Sequence, residues 1–155
     1  MNDDTTLITR WNRLSRVHRR IEARMERRLQ QHVGLGVSEF YALRTLREGA
    51  RDTGLLYLND LADGIGLSHS ATSRLVTRLR DRGLITTRVP DHDRRSVEIE
   101  LTTLAHDVLG SGSPLLREAV EEAVRDLDAD GTDEDLLRYL SGHRDHEVRC
   151  VPNGR

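Results

Sequence analysis

The chain has 155 residues, of which 36% are hydrophobic and 32% charged, with a formal net charge of −2. That length holds one domain with a real core, or a compact lobe plus a helical extension, and the composition lies above that of a disordered chain. No apolar run approaches a membrane span, no segment reads as a signal peptide, and the lone Cys150 excludes an internal disulfide framework, so the reading is a cytoplasmic protein with no membrane partner.

In chain order, Leu7, Trp11, Leu14, His18, Ile21, Met25 and Leu29 recur at spacings of three and four. They predict one amphipathic helix from Thr6 to about Gln31, ended by Gly34 and Gly36. Ser38 is a candidate N-cap for a second helix, Glu39 to about Glu48, with Phe40, Leu43 and Leu46 inward and a loop over 49–54. Leu58, Leu61, Ala62 and Ile65 predict a short helix ending at Gly66. After that turn Ser68 can cap a helix from His69 to about Arg82, stopped by Gly83. Leu84 to Val89 reads as a strand, and 90–93 as a turn. Ser96 to Thr102 alternates, with Val97, Ile99 and Leu101 on one face and Glu98 and Glu100 on the other. Beyond 103 the apolar residues again follow a helical period. Gly110, Gly112 and Pro114 predict a break near 110–114, and Thr132 or Asp133 caps a last helix containing Leu136, Leu137 and Leu140.

A short helix, a tight turn, a second helix and a two-stranded hairpin make a winged helix-turn-helix. The expected fold class is therefore mainly α with a small β-hairpin wing. The expected division is an N-terminal helix over 1–35, a winged lobe over 36–102, C-terminal helices over 103–147 and a loose tail over 148–155.

The pattern over 58–102 also points to chemistry. In the helix after Ser68, Ala71, Leu75, Val76 and Leu79 form a packed face, while His69, Ser70, Thr72, Ser73, Arg74, Thr77 and Arg78 project elsewhere. Small hydroxyls let a helix sink into a major groove, and Ser68 and Ser70 lie where helix-start amides meet phosphate. Arg74 has the reach for a bidentate contact to guanine O6 and N7 or for a phosphate contact. All 24 basic residues are arginine, whose fork suits both contacts. Residues 68–96 hold seven Arg against three acids, a balance of +4. At the hairpin tip Arg94 and Arg95 can enter a minor groove, and Asp93 reads as the acid that orients one of these arginines. Double-stranded DNA is the implied partner, with half-site centres ~10 bp apart for a two-lobed reader.

Leu61-Ala62, Ile65-Gly66-Leu67-Ser68, Arg74, Leu79, Gly83-Leu84-Ile85, Arg88, Asp93-Arg94-Arg95 and Leu101-Thr102 resemble the signature of the MarR family of bacterial transcription regulators. The flanking helices fit as well, so the resemblance covers nearly the whole chain. It implies a homodimer whose first and last helices form the dimerisation lobe and whose two winged lobes read a pseudo-palindromic operator, with a repressor's steric mechanism. It places Ser70, Ser73 and Arg74 near major-groove bases and Arg94 or Arg95 in the minor groove. Relatives bind small aromatic or phenolic anions between the two lobes, which makes Trp11, with Arg16, His18 and Tyr41, a candidate effector pocket. Two departures stand out: a wing tip about one residue shorter than is common, and the Gly/Pro interruption at 110–114, where relatives have a continuous helix.

Charge supports docking of the outer helices independently. Residues 6–33 carry eight Arg and two Glu, a balance of +6, whereas 103–147 carry four Arg and twelve acids, a balance of −8. Alternative readings are a winged-helix protein-interaction module, or a metal- or redox-responsive sensor built on His143, His146 and Cys150, which would share one face of a continued helix. No fourth ligand accompanies them, so no metal site and no cofactor are assigned. No phosphate loop, Gly-x-Ser-x-Gly or His-Glu-x-x-His pattern is present, no catalytic residue is assigned, and an enzyme is not expected.

Overall fold

The computed structural model describes residues 3–53, 56–91, 97–129 and 134–140. Helix α1 (Asp3–Val33) lies along α5 (Thr103–Ala129), the most extensive contact between elements. Between them in sequence come α2 (Val37–Thr53), β1 (Leu56–Tyr57), α3 (Leu58–Ile65), α4 (His69–Asp81), β2 (Ile85–Arg88) and β3 (Glu98–Leu101), and α6 (Glu134–Leu140) follows α5. The expected class, mainly helical with a small β wing, is the one observed.

Only part of the predicted α1 stripe is covered. Met25 and Leu29 are buried with Leu35, Phe40, Leu43 and Leu109 in the main core, and Val17 packs on Leu127 in a second cluster. Leu7, Ile8, Trp11 and Leu14 are exposed, and the inward residue one turn further on is Val17 rather than His18. Alongside the apolar contact, Arg24 is bound to Asp126, and Arg28 Nη2 donates to Glu122 Oε1 at 2.6 Å. The opposite charges of the two segments therefore meet within one chain.

Helix α2 starts earlier and ends later than predicted. Its first turn is capped by carboxylates rather than by Ser38: Gly36 N donates to Glu39 Oε2 at 3.1 Å and Val37 N to Glu26 Oε2 at 2.6 Å. Helical backbone continues through 49–53 instead of a loop. Gly49 fits there because α2 passes closely over Leu56, whose Cδ1 would lie 2.5 Å from an added Cβ.

The hairpin is a three-stranded antiparallel sheet in the order β1-β3-β2. Strand β1 was not foreseen, since two residues are too few to alternate. It makes β3 a central strand, with Tyr57 and Arg88 as the two register neighbours of Glu98. This overturns the outward placement of Glu98, whose residue is 5% exposed. Its Oε2 accepts from Arg88 Nη2 at 2.8 Å and Nε at 3.0 Å, and this contact, then the charge of Glu98, raises the Arg88 pKa above its ordinary value.

The predicted break at 110–114 is absent, and α5 is continuous with Pro114 inside it. Proline removes one backbone donor and crowds the carbonyl four residues earlier, here that of Gly110, at a cost of about 3 kcal/mol. Burial of Leu109, Leu116 and Ala119 offsets that cost, and Ser113 Oγ donates to the Leu109 carbonyl at 2.7 Å. Gly112 is a packing residue: an added Cβ would lie 2.3 Å from Phe40 Cε2, whereas Gly110 faces open space. Gly112→Ala is expected to destabilise the fold by about 1–3 kcal/mol through overpacking. Gly110→Ala is expected to stabilise it by up to about 1 kcal/mol through helix propensity. Urea unfolding of both variants at one protein concentration checks the opposite signs.

Candidate nucleic-acid interface

Two glycine stops shape the helix-turn-helix. Gly66 ends α3 with φ 68° and Gly83 follows α4 with φ 71°, a region that favours glycine. The backbone bonds Leu67 N to Ala62 O at 3.2 Å and Leu84 N to Leu79 O at 3.0 Å close the two helix ends. Ser68 caps α4 as predicted, its Oγ accepting from Ala71 N at 3.3 Å.

One face of α4 is buried by Thr72, Leu75, Val76 and Leu79, spaced as i, i+3, i+4 and i+7. Thr72 was expected among the DNA-facing residues. It is instead 0% exposed, and its Oγ1 donates to the Ser68 carbonyl at 3.0 Å. The methyl group completes the apolar stripe and the hydroxyl is satisfied locally, so a Thr at this spacing packs like a Val. Ala71, expected in the packed face, is half-buried at its margin.

The remaining predicted residues of this helix share one exposed surface: Ser68, His69, Ser70, Ser73, Arg74, Thr77 and Arg78. Ser68 and Ser70 lie with their hydroxyls 3.3 Å apart, and Thr77 Oγ1 donates to the Ser73 carbonyl at 3.0 Å. Among the described residues Arg74 makes no ion pair or hydrogen bond, so its guanidinium is free for a ligand.

Arg78 and Arg82 behave differently, and sequence reasoning missed why. Both reach Glu39, whose side chain is 12% exposed: Arg82 Nη1 lies 3.2 Å from Oε2 and Arg78 Nε 3.6 Å from Oε1. Arg82 Nη2 also donates to the Gly34 carbonyl at 2.6 Å. Glu39 thus caps α2 and anchors the C-terminal end of α4 to the α1–α2 turn. The signal available in the sequence was a Glu three residues after Gly36, the spacing of a capping carboxylate, which the choice of Ser38 as cap obscured.

Arg88 and Glu98 stand at the base of the wing. Asp93, Arg94 and Arg95 lie outside the described residues, as do His143, His146 and Cys150. The candidate effector residues are spread along an open surface. Trp11 is 59% exposed, Arg16 is exposed, His18 Nδ1 lies 3.8 Å from Glu22, and the hydroxyl of Tyr41, also an exposed residue, donates to Met25 Sδ at 3.9 Å. Desolvation pushes the Tyr41 pKa up, opposed by Arg44 and reinforced by Glu22. No hydrogen bond or ion pair joins Trp11, Arg16 or His18 to Tyr41 among the described residues. Within those residues no group of three or more His, Cys, Asp or Glu is arranged to hold a metal, and no helix is long and apolar enough to cross a membrane.

The fold and this surface define a winged helix-turn-helix protein whose helix α4 displays hydroxyls and an arginine with no partner among the described residues. Residues 33–96 match the model of the MarR family. The chain is similar to a MarR family transcriptional regulator from Streptomyces coelicolor in complex with DNA, at 23% identity over 91% of each chain and a TM-score of 0.70. It is also similar to a mutant MarR from E. coli complexed with operator DNA, at 19% identity over 91% of this chain and 96% of that one, TM-score 0.71. A third similar structure is BpsR of Bordetella bronchiseptica, whose DNA binding is regulated by 6-hydroxynicotinic acid, at 21% identity over 84% of this chain and 91% of that one, TM-score 0.62. No curated protein sequence matches the chain.

Glu39→Ala is expected to destabilise the fold by about 1.5–3 kcal/mol, because it leaves partly buried charge-assisted partners unmet. Arg78→Ala, at an exposed ion pair, is expected to cost under about 1 kcal/mol. Chemical denaturation of the two variants separates the clamp from its exposed rim.

Proposed function

We propose that the protein is a sequence-specific DNA-binding transcription regulator, acting as a homodimeric repressor on a pseudo-palindromic operator. The observation that carries this reading is Arg74 on the exposed face of α4, without a partner among the described residues and flanked by Ser70, Ser73 and Thr77. A guanidinium among small hydroxyls suits base edges and phosphates, whereas Arg80 lies beside Asp81 and Arg78 reaches Glu39 through Nε, which leaves its Nη groups for a phosphate. The similar structures bound to DNA support the same use of the fold.

In this reading His69 and Arg78 add backbone contacts and Arg94 and Arg95 enter the minor groove, oriented by Asp93. Two copies join through the outer helices. Leu7, Ile8, Trp11 and Leu14 form an exposed apolar stripe on α1, and Tyr139 on α6 is also exposed, more apolar surface than a polar chain of this size leaves without reason. A small aromatic or phenolic anion held near Trp11, Arg16, His18 and Tyr41 would release the operator by favouring a lobe separation that does not match it. BpsR, with its ligand-regulated DNA binding, supports that mode.

Selection from a random DNA pool is expected to return a two-fold symmetric site with half-site centres ~10 bp apart. On that site Arg74→Ala is expected to lose at least ~1 kcal/mol of affinity and to relax preference at one base position per half-site. A pool without enrichment, or an Arg74→Ala protein with unchanged preference, overturns the reading. Removal of residues 1–13 is expected to give a folded monomer, because the Val17, Met25 and Leu29 contacts with the rest of the chain remain. Sedimentation velocity checks this, and a persistent dimer would place the interface elsewhere.

A further inference from the structure

Five arginines gather where α1 and α5 lie side by side. A cleft of about 480 Å³ between the two helices is lined by Arg24, Arg27 and Arg28 from α1 and by Glu122, Arg125 and Asp126 from α5. A smaller cleft of about 240 Å³ shares Arg24, Arg27 and Asp126 with it and adds Arg20. Together they set five arginines against two acids, an excess of three positive charges.

Both acids are already taken. Arg24 is bound to Asp126 and lies 3.8 Å from Glu122, and Arg28 Nη2 reaches Glu122 Oε1 at 2.6 Å. These pairs fix two guanidinium groups whose side chains stay 28% and 32% exposed, within reach of a ligand. Arg27 and Arg125 are exposed and make no ion pair or hydrogen bond among the described residues. What separates them from other exposed arginines is that they line one cleft from opposite helices, beside two arginines held in place. A compact oxyanion there meets guanidinium forks from both sides. No apolar side chain lines the larger cleft, which selects a hydrophilic ligand. The same face stays open in the proposed dimer. Arg20 follows Trp11 by nine residues, about two and a half helical turns, so the basic face of α1 points away from its exposed apolar stripe.

We propose that the α1–α5 cleft is a binding site for the diphosphate group of a small molecule. Arg27 and Arg125 bind it from the two helices, and the fixed Arg24 and Arg28 supply further donors. A single phosphate carries about −1.5 to −2 at neutral pH and leaves part of the excess charge unmatched, whereas two linked phosphates match it. Free pyrophosphate and a nucleoside diphosphate share this chemistry. The site uses none of the residues assigned to DNA on α4 and the wing, and none of Trp11, Arg16, His18 and Tyr41. A test without DNA therefore fails or succeeds independently of the DNA-binding reading.

The test is a calorimetric titration of pyrophosphate, and separately of ADP, into the full-length protein at one fixed ionic strength, with the arginine Nε–H resonances followed by NMR. Pyrophosphate is expected to bind saturably and to shift the Arg27 and Arg125 resonances. It is expected to bind at least about tenfold more tightly than inorganic phosphate or sulfate. Arg27→Gln and Arg125→Gln are each expected to weaken it by about tenfold, and Arg74→Gln to leave it unchanged. Circular dichroism confirms that the variants are folded, and the wild-type NMR shifts serve as the criterion for any that is not. Tighter binding of ADP than of pyrophosphate assigns the site to a nucleotide-borne diphosphate, and equal or weaker binding assigns it to the free ion. Absence of saturable binding, sulfate binding as tightly as pyrophosphate, or unmoved Arg27 and Arg125 resonances overturns the proposal. Loss of binding in Arg74→Gln also overturns it, because the anion would then sit on the α4 surface.

Discussion

The burial of one narrow face of α4 is the constraint on which the rest of this structure turns. Thr72, Leu75, Val76 and Leu79 set the rotation of the helix about its axis, and that rotation decides what faces outward. A helix held only by apolar contacts keeps freedom to slide and tilt, and the polar clamp removes it. Glu39 reaches Arg82 and Arg78 from α2, while Arg82 also grips the Gly34 carbonyl. The end of α4 is thereby referred to the α1–α2 turn, and so to the long helices, rather than to its own lobe alone. A reader of a duplex needs that rigidity, because side chains displaced by an ångström no longer meet base edges.

The arginines divide by partner rather than by position. Arg24 and Arg28 close the α1–α5 contact, Arg82 closes the α2–α4 contact, and Arg88 satisfies the buried Glu98. Glu39 and Glu98, at 12% and 6% side-chain exposure, would otherwise be poorly solvated. Arg74 has no such task among the described residues. A chain that uses one cation throughout thus builds its scaffold with most of its partly buried arginines and leaves particular ones unmatched. Among the arginines of α4, Arg74 carries the functional proposal, toward nucleic acid.

Much of the site was legible. The Ser68 cap, the glycine stops at Gly66 and Gly83 and the apolar period of α4 are local properties, and the structure realises them, with Thr72 in place of Ala71 on the buried face. What was missed depends on neighbours distant in sequence. Thr72 reads as polar until Leu75, Val76 and Leu79 are seen to share its face against other elements. Glu98 alternates outward until β1 makes its strand central. The Gly112-Ser113-Pro114 stretch reads as a break until Phe40 is found to occupy the space a side chain would need. In each case local preference is worth a few kcal/mol at most, and burial across elements outweighs it.

The sequence by itself determined the identity and order of the helices, the winged arrangement after Gly83, and the face of α4 that carries Ser70, Ser73 and Arg74, because these follow from periodicity and capping within a few residues. Only the tertiary structure decided which charges are neutralised, that α5 runs unbroken, and that Leu7, Trp11 and Leu14 stay exposed. Those outcomes rest on which surfaces meet, and pairing between residues up to 102 positions apart, as in Arg24 with Asp126, leaves no local pattern to read.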